Sequence, residues 1–136
     1  MMDDEFFHDF AAKVFRLSRA IRLIYICDDR GRILGSDYRK DMIALKLSES
    51  ELEKYTRPWI MQILMSDRFR ETAGDLKYIF AVYEKILSAA IQVDFNRKQK
   101  IFVILSIDLV RSAPETVRFI EDKILPLVGE NKDYFM

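Results

Sequence analysis

Histidine and cysteine, the side chains most often used for acid–base and nucleophilic chemistry, occur once each in this chain. His8 lies on the polar side of a predicted first helix, so we expect water to surround it. Cys27 ends the apolar run that starts at Leu23, and no activating base is near it in sequence, which is typical of a small core residue. A Cys27–His8 pair is the alternative that the sequence leaves open. These residues predict no zinc set, no enzyme activity and no cofactor.

Three other groups have residue types that bind ions or phosphate. The acidic group is Asp28, Asp29, Asp37 and Asp41, and the basic group is Arg97, Lys98 and Lys100. The acidic spacing is not that of a calcium-binding loop, so we expect turn-forming and solvated aspartates. The basic group favours a soluble hairpin tip over a phosphate contact. Gly31 and Gly35 fit neither a P-loop nor a dinucleotide-binding pattern, so the sequence predicts no nucleotide site of either kind.

The charge balance limits the classes of partner. The 136 residues include 22 basic and 22 acidic side chains, so the chain has no net charge to attract nucleic acid. No apolar run approaches the ~18 residues of a membrane-spanning helix. The opening residues, Met1 to Glu5, are acidic, unlike the basic start of a signal peptide. We therefore expect a cytoplasmic protein that neither binds nucleic acid nor inserts into a membrane.

Apolar periodicity predicts eight secondary-structure elements. They are a helix over 3–18, strands over Ile21–Asp28 and from Ile33 to near Gly35, a helix from Ser48 to Gly74, strands over Leu76–Tyr83, Ile86–Phe95 and Ile101–Ile107, and a helix that starts at the Ser112–Glu115 capping box and closes at Pro126 and Gly129. The stretch 36–47 is predicted to be irregular. Because the run from Ile101 to Ile107 is almost continuously apolar, we expect a central strand covered on both faces.

Short turns between successive strands indicate an antiparallel sheet with helices on its faces. The prediction is one α+β domain over 1–129, with five strands in the order α-β-β-α-β-β-β-α. A tail over 130–136 follows. Its apolar end, Tyr134 to Met136, is predicted either to pack back on the sheet or to form a short docking peptide.

This order resembles the roadblock/dynein-light-chain domains of the profilin-like group. The local match is the hairpin Tyr25 to Leu34, which is similar to their "apolar strand, Asp-x-x-Gly, apolar strand" opening. The strand start Ile21–Ile24 and the hairpin Tyr78–Lys85 are most similar to small archaeal roadblock-like proteins. The resemblance covers roughly 5–128. It implies a non-enzymatic, homodimeric adaptor or regulator in intracellular signalling, with a small GTPase or motor complex as a further partner.

The helix predicted to end at Gly74 has apolar residues on two sides. One side carries Trp59, Ile60, Ile63 and Leu64, and the other carries Met61, Met65 and Phe69. A surface helix needs only one apolar stripe to reach its own core, so the second stripe predicts a dimer or partner interface. The alternative is that the first helix, or the start of the same segment, covers this side. Pro58 is predicted to kink or restart the helix, with Thr56 as a new cap.

A second function remains open, because PAS and GAF sensor domains have related sheets and bind small molecules. In that alternative, Trp59, Tyr78 and Phe80 line a pocket between the sheet and the middle helix. A sensor needs a cavity of about 300 Å³ or more, whereas the core of an adaptor should be filled.

Overall fold

The computed structural model describes residues 4–39, 49–96, 99–109 and 112–131. Its elements are helix α1 (Asp4–Phe15), strands β1 (Ile21–Asp28) and β2 (Ile33–Tyr38), helix α2 (Glu49–Ser66), a 3-10 turn (Asp67–Phe69), helix α3 (Arg70–Ala73), strands β3 (Tyr78–Val82), β4 (Ile86–Asn96) and β5 (Gln99–Asp108), helix α4 (Ala113–Phe119), a π-helical turn (Ile120–Ile124) and helix α5 (Leu125–Glu130). Within the described part of the chain, no helix is both long enough and apolar enough to cross a membrane.

The five strands form one antiparallel sheet in the spatial order β2-β1-β5-β4-β3. Strand β5 lies at its centre, and Ile101 to Leu105 are buried without interruption. The predicted fold class and element order are therefore confirmed. The central position of β5 follows from its composition, because a strand that is apolar on both sides is stable only where both sides are covered.

The helices divide between the two faces of the sheet. The first core lies between the sheet and the helices α1 and α4 together with the π-helical turn, and it includes Phe7, Phe10, Phe119 and Ile120. The second core lies on the opposite face and contains Ile60 and Ile63 of α2. Alternation along β4 places Leu87, Ala89, Ile91 and Val93 in the first core and Ala90 in the second.

The turn between β1 and β2 is closed by one buried carboxylate. Oδ1 of Asp28 accepts hydrogen bonds from the backbone N–H groups of Arg30 and Arg32, each at 2.9 Å. Its Oδ2 lies 2.9 Å from Nε of Arg32. Gly31 has a positive φ (+86°), a conformation that glycine adopts without strain. The Asp-x-x-Gly motif is thus a self-contained turn, with Asp28 satisfying the loop backbone.

Several predicted boundaries were wrong. Strand β2 continues to Tyr38 through part of the stretch predicted to be irregular, because Ser36 and Tyr38 pair with β1 in spite of their polarity. Helix α2 runs through Pro58 without restarting. Helix α1 ends at Phe15, short of 18, strand β3 begins at Tyr78, and α5 continues one residue past Gly129. The predictions for Asp41, Ser48, Arg97, Lys98 and Tyr134–Met136 lie outside the described residues.

Gly35 allows α1 to lie directly on β2. A Cβ atom at this position would be 2.6 Å from the carbonyl carbon of Phe7 and 2.8 Å from the backbone nitrogen of His8. These are backbone atoms, so rotating a side chain cannot relieve the overlap. Glycine is required here by the close approach of a helix and a strand.

We expect Gly35→Ala to lower the free energy of unfolding by about 1–3 kcal/mol, because α1 must move off the sheet to admit the methyl group. Urea denaturation followed by circular dichroism measures the change. The matched control is Gly129→Ala in α5, where an added Cβ meets nothing within 4 Å. That control should be neutral or stabilising by up to about 1 kcal/mol, because alanine is the better helix former. Equal stability of the two variants would contradict the close-approach interpretation.

Candidate protein-interaction surface

Helix α2 is held on the sheet by a narrow stripe of buried side chains. Thr56, Ile60 and Ile63 are buried, at intervals of four and three residues. Most of the other described side chains of this helix are exposed or half-buried. A stripe this narrow fixes the position of the helix but leaves most of its circumference facing away from the core.

A buried hydrogen bond sets the register of α2 against β1. The hydroxyls of Tyr25 and Thr56 are 2.6 Å apart in the second core. Burial raises the pKa of Tyr25 well above its ordinary value, against the opposing effect of the Thr56 hydrogen bond. Thr56 was predicted to cap a restarted helix. That prediction was wrong, because its hydroxyl faces the sheet from the middle of a continuous helix.

Two further contacts fix the ends of α2. Near its start, the backbone oxygen of Glu53 lies against the β1–β2 turn, 3.8 Å from where a Cβ of Gly31 would be. Just beyond its end, Nζ of Lys100 in β5 bonds Oδ2 of Asp67 at 2.7 Å. This ion pair is partly exposed, so it contributes orientation more than stability. The helix is positioned along its length by groups on its inner side.

Of the predicted interface residues, Met61 and Met65 lie on the outward side of α2 and Phe69 lies in the 3-10 turn that follows it. Met61, Met65 and Phe69 are 61 %, 58 % and 65 % exposed. Helix α1, which the sequence left open as an alternative cover, packs against the opposite face of the sheet. Pro58 is exposed in the same helix and lacks the N–H that would bond the carbonyl of Lys54.

An open cleft of about 420 Å³ separates α2 from β3. Tyr55, Pro58, Trp59 and Gln62 line it from the helix, with Ile79 to Ala81 and Tyr83 opposite. Of the three residues predicted for a sensor pocket, Trp59 faces this cleft. Phe80 borders it along the strand but packs with Tyr78 against the first core, on the other face of the sheet. The structure does not gather the three side chains around one enclosed cavity.

Tyr78 instead joins β3 to the C-terminal helical segment. Its hydroxyl donates a hydrogen bond of 2.9 Å to Oε1 of Glu121 in the π-helical turn. Partial burial and the adjacent Glu121 carboxylate raise the pKa of Tyr78. This contact holds the edge strand against the helices of the first face.

Strand β3 is the last strand on its side of the sheet, and within the described ranges no strand pairs with its outer edge. Val82 and the following Tyr83 are exposed there, and Tyr83 shares the cleft with Tyr55. We define the α2/β3 surface as Tyr55, Met61, Met65, Phe69, Val82 and Tyr83. No pattern in the sequence distinguishes Tyr55, Val82 or Tyr83. Their place became visible only with the strand order, which makes β3 an edge.

The candidate catalytic residues are far from forming a reactive pair. His8 is exposed on α1, whereas Cys27 is fully buried in the second core. Burial, with the negative charge of Asp28, raises the pKa of Cys27 well above that of an ordinary thiol, so the nucleophilic thiolate is disfavoured. Among the described residues, no three His, Cys, Asp or Glu side chains are grouped to hold a metal ion.

The chain thus has an antiparallel five-stranded sheet with helices on both faces. No protein-family model and no curated protein matches the sequence. Among solved structures, it is similar to a Roadblock/LC7 domain from Streptomyces avermitilis, with a TM-score of 0.68 and 8 % identity over 100 % of this chain and 99 % of that one. It is also similar to an MglB with tetrameric arrangement (TM-score 0.67, 9 % identity, 93 % and 85 % covered) and to Myxococcus xanthus MglB (TM-score 0.66, 13 % identity, 95 % and 96 % covered).

The chain therefore has the roadblock fold, which confirms the predicted resemblance. At such low identities the likeness extends to the fold alone. What the surface does must be argued from its own side chains.

We expect Tyr25→Phe to lower the free energy of unfolding at pH 7 by about 1 kcal/mol, because it removes the hydrogen bond to Thr56. It should also reduce the loss of stability in alkali. The raised pKa of Tyr25 means that the folded chain keeps a proton that the unfolded chain releases above about pH 10, so stability falls as pH rises through that range.

Urea denaturation at pH 7, 9 and 10.5 measures both effects. The control is Tyr55→Phe, which removes an exposed hydroxyl from the same helix. It should leave the pH 7 stability and the alkaline slope unchanged. If the two variants behave alike, the buried hydrogen bond does not anchor α2.

Proposed function

We propose that this chain is a non-enzymatic interaction domain that forms a homodimer through the α2/β3 surface and acts as an adaptor or regulator in intracellular signalling. The observation that carries the proposal is the row of exposed apolar side chains on α2 and the turn after it, beside strand β3, whose outer side pairs with no other strand of the described residues.

The side chains of this surface suit a protein partner. Met61 and Met65 are flexible and polarizable, which adapts them to a partner surface, and Phe69 and Tyr83 offer aromatic anchors. Several large apolar groups on one helix face are costly in water. Scattered exposed hydrophobics are normal, but a grouped set of this kind marks an interaction site.

A second copy is the partner that fits both parts of the surface. Two identical β3 strands related by a two-fold axis would pair antiparallel, satisfying the outer backbone groups of each. The same axis would bring the outward sides of the two α2 helices together. Natural sheets rarely leave an apolar edge open, because it invites uncontrolled association. Closed pairing with a second copy removes that hazard.

The similarity to a solved MglB described as having a tetrameric arrangement supports self-association on this fold. The resemblance to roadblock domains supports a small GTPase as a further partner of the dimer. Such a partner would bind a surface that the dimer leaves free or creates.

A small-molecule sensor is the second candidate, and the cleft between α2 and β3 favours it. Its volume of about 420 Å³ exceeds the ~300 Å³ expected for a ligand pocket. However, it is an open groove, and both Tyr78 and Phe80 pack against the other face of the sheet. A groove bordered by exposed Tyr55 and Tyr83 fits a protein segment better than an enclosed ligand.

Static light scattering over a dilution series tests the dimer directly. We expect a mass near twice 16.1 kDa for the unmodified chain. Met65→Glu should weaken association roughly 30-fold or more, because two-fold symmetry brings two carboxylates into an apolar contact. The matched control is Leu17→Glu, which places the same charge at an exposed leucine just after α1. A monomer at every concentration, or equal loss in both variants, would overturn the homodimer.

Val82→Pro tests the strand edge separately. The backbone N–H of Tyr83 donates inward to Ile86, so by alternation the N–H of Ala81 also points toward β4 and that of Val82 points outward. Val82→Pro should therefore weaken the dimer while keeping the fold, whereas Ala81→Pro should unfold the strand. Circular dichroism separates the two outcomes. An unchanged dimer in Val82→Pro would exclude edge pairing and leave α2 as the contact.

A further inference from the structure

We propose that a phosphate-bearing ligand binds in a basic cleft at the C-terminal end of α1. The cleft has a volume of about 470 Å³ and is lined by Phe15, Arg16, Ser18, Arg19 and Arg39, which we call the arginine cleft. It lies at one end of the helix that covers the first core, whereas the α2/β3 surface is on the other face of the sheet.

The charge around this cleft is one-sided. Of the described residues that line it, Arg16, Arg19 and Arg39 are basic and none is acidic. Asp108 pairs with both Arg39 and Arg22, at 2.7 and 3.1 Å. The chain as a whole has no net charge, so the three arginines concentrate positive charge at this point. A local positive potential of this kind attracts anions.

Arg39 forms the fixed wall of the cleft. Its Nη1 donates to the backbone oxygen of Arg19 at 2.8 Å and pairs with Asp108. Arg39 follows β2, and Arg19 precedes β1, so this bond ties together two segments twenty residues apart. A guanidinium already held in place loses little conformational entropy when it binds a ligand.

Arg16 and Ser18 supply further donors. Nε of Arg16 donates to the backbone oxygen of Ala12 at 3.2 Å, which orients the guanidinium and leaves its terminal nitrogens outside this bond. The Ser18 hydroxyl oxygen accepts from the backbone N–H of Ala20 at 3.1 Å, so its own proton is available to a ligand oxygen. Forked guanidinium donors together with a hydroxyl match the several acceptor oxygens of a phosphate group.

Helix capping explains part of this arrangement but not all of it. Cations at the end of a helix stabilise its last carbonyls, and the Arg16 contact with Ala12 does this. Arg19 has no such role: among the described residues, no hydrogen bond or ion pair holds its guanidinium. Capping also requires no cavity, whereas these arginines surround a space of the size that small ligands occupy.

The double variant Arg16→Gln/Arg19→Gln tests the site on the full chain. It removes two charges but leaves Arg39, Asp108 and Arg22 in place, so the fold should survive. Isothermal titration with inorganic pyrophosphate in low-salt buffer measures binding. We expect binding to the unmodified chain and a loss of affinity of about tenfold or more in the double variant. The control, Arg118→Gln, removes an exposed arginine on α4 and should bind normally.

A second probe distinguishes the two sources of a phosphate group, a soluble molecule and a lipid headgroup. Co-sedimentation with phosphatidylcholine vesicles, with and without phosphatidylglycerol, tests a lipid headgroup. Arginine-dependent binding to pyrophosphate alone supports a soluble phosphorylated molecule, and arginine-dependent binding to anionic vesicles alone supports a headgroup. Binding of neither probe, or equal binding by the unmodified chain and the double variant, would overturn the proposal.

Discussion

Strands β1 and β5 must be covered on both faces of the sheet, and the arrangement of the other elements follows from this. Strands β1 and β5 are buried almost throughout, with Ile24 and Leu105 facing one core and Tyr25 and Phe102 facing the other. The first face is covered by α1 and the C-terminal helical segment. Of the described helices, α2 supplies the buried side chains of the second core. That unequal division leaves α2 with a narrow inner stripe and a broad outer side.

The two edges of the sheet differ in how readily they can pair with another strand. Strand β2 carries Gly35, Ser36 and Asp37, and α1 lies directly on it because Gly35 has no side chain. Strand β3, from Tyr78 to Val82, consists of apolar and aromatic residues and ends beside the cleft. A polar edge discourages pairing, whereas an apolar edge beside an exposed helix favours it. The proposed interaction surface therefore lies beside the apolar edge strand, on the face of the sheet that α2 covers.

Local patterns were enough to predict most of the fold. The continuous apolar run predicted the central β5, and the predicted capping residue Ser112 begins α4, with the Glu115 N–H donating to its Oγ at 3.3 Å. The predictions that depended on pairing between distant segments were less successful. Strand β2 is longer than its polarity suggested, because pairing with β1 compensates for a weak intrinsic preference. Thr56 could not be assigned to Tyr25 from sequence, since thirty-one residues separate them.

The same distinction explains the candidate sites. Met61, Met65 and Phe69 were predicted from a periodicity within one helix, so local sequence located them, although their role as an interface remains a proposal. Tyr78 and Phe80 are two residues apart in a strand and must share a face, and the pairing of Tyr78 with Ile91 assigns that face to the first core. Ile79, which lies between them, faces the second core, against which Trp59 also packs.

The arginine cleft had no signal in the sequence, because Arg16, Arg19 and Arg39 are ordinary surface residues until the end of α1 and the end of β2 meet. Its separation from α2 by the whole thickness of the sheet has a thermodynamic consequence. A ligand in the cleft can alter dimerisation only to the extent that it binds monomer and dimer differently. Since β1 begins beside Arg19 and carries Tyr25, which bonds α2, that strand is the most direct physical connection between the two surfaces.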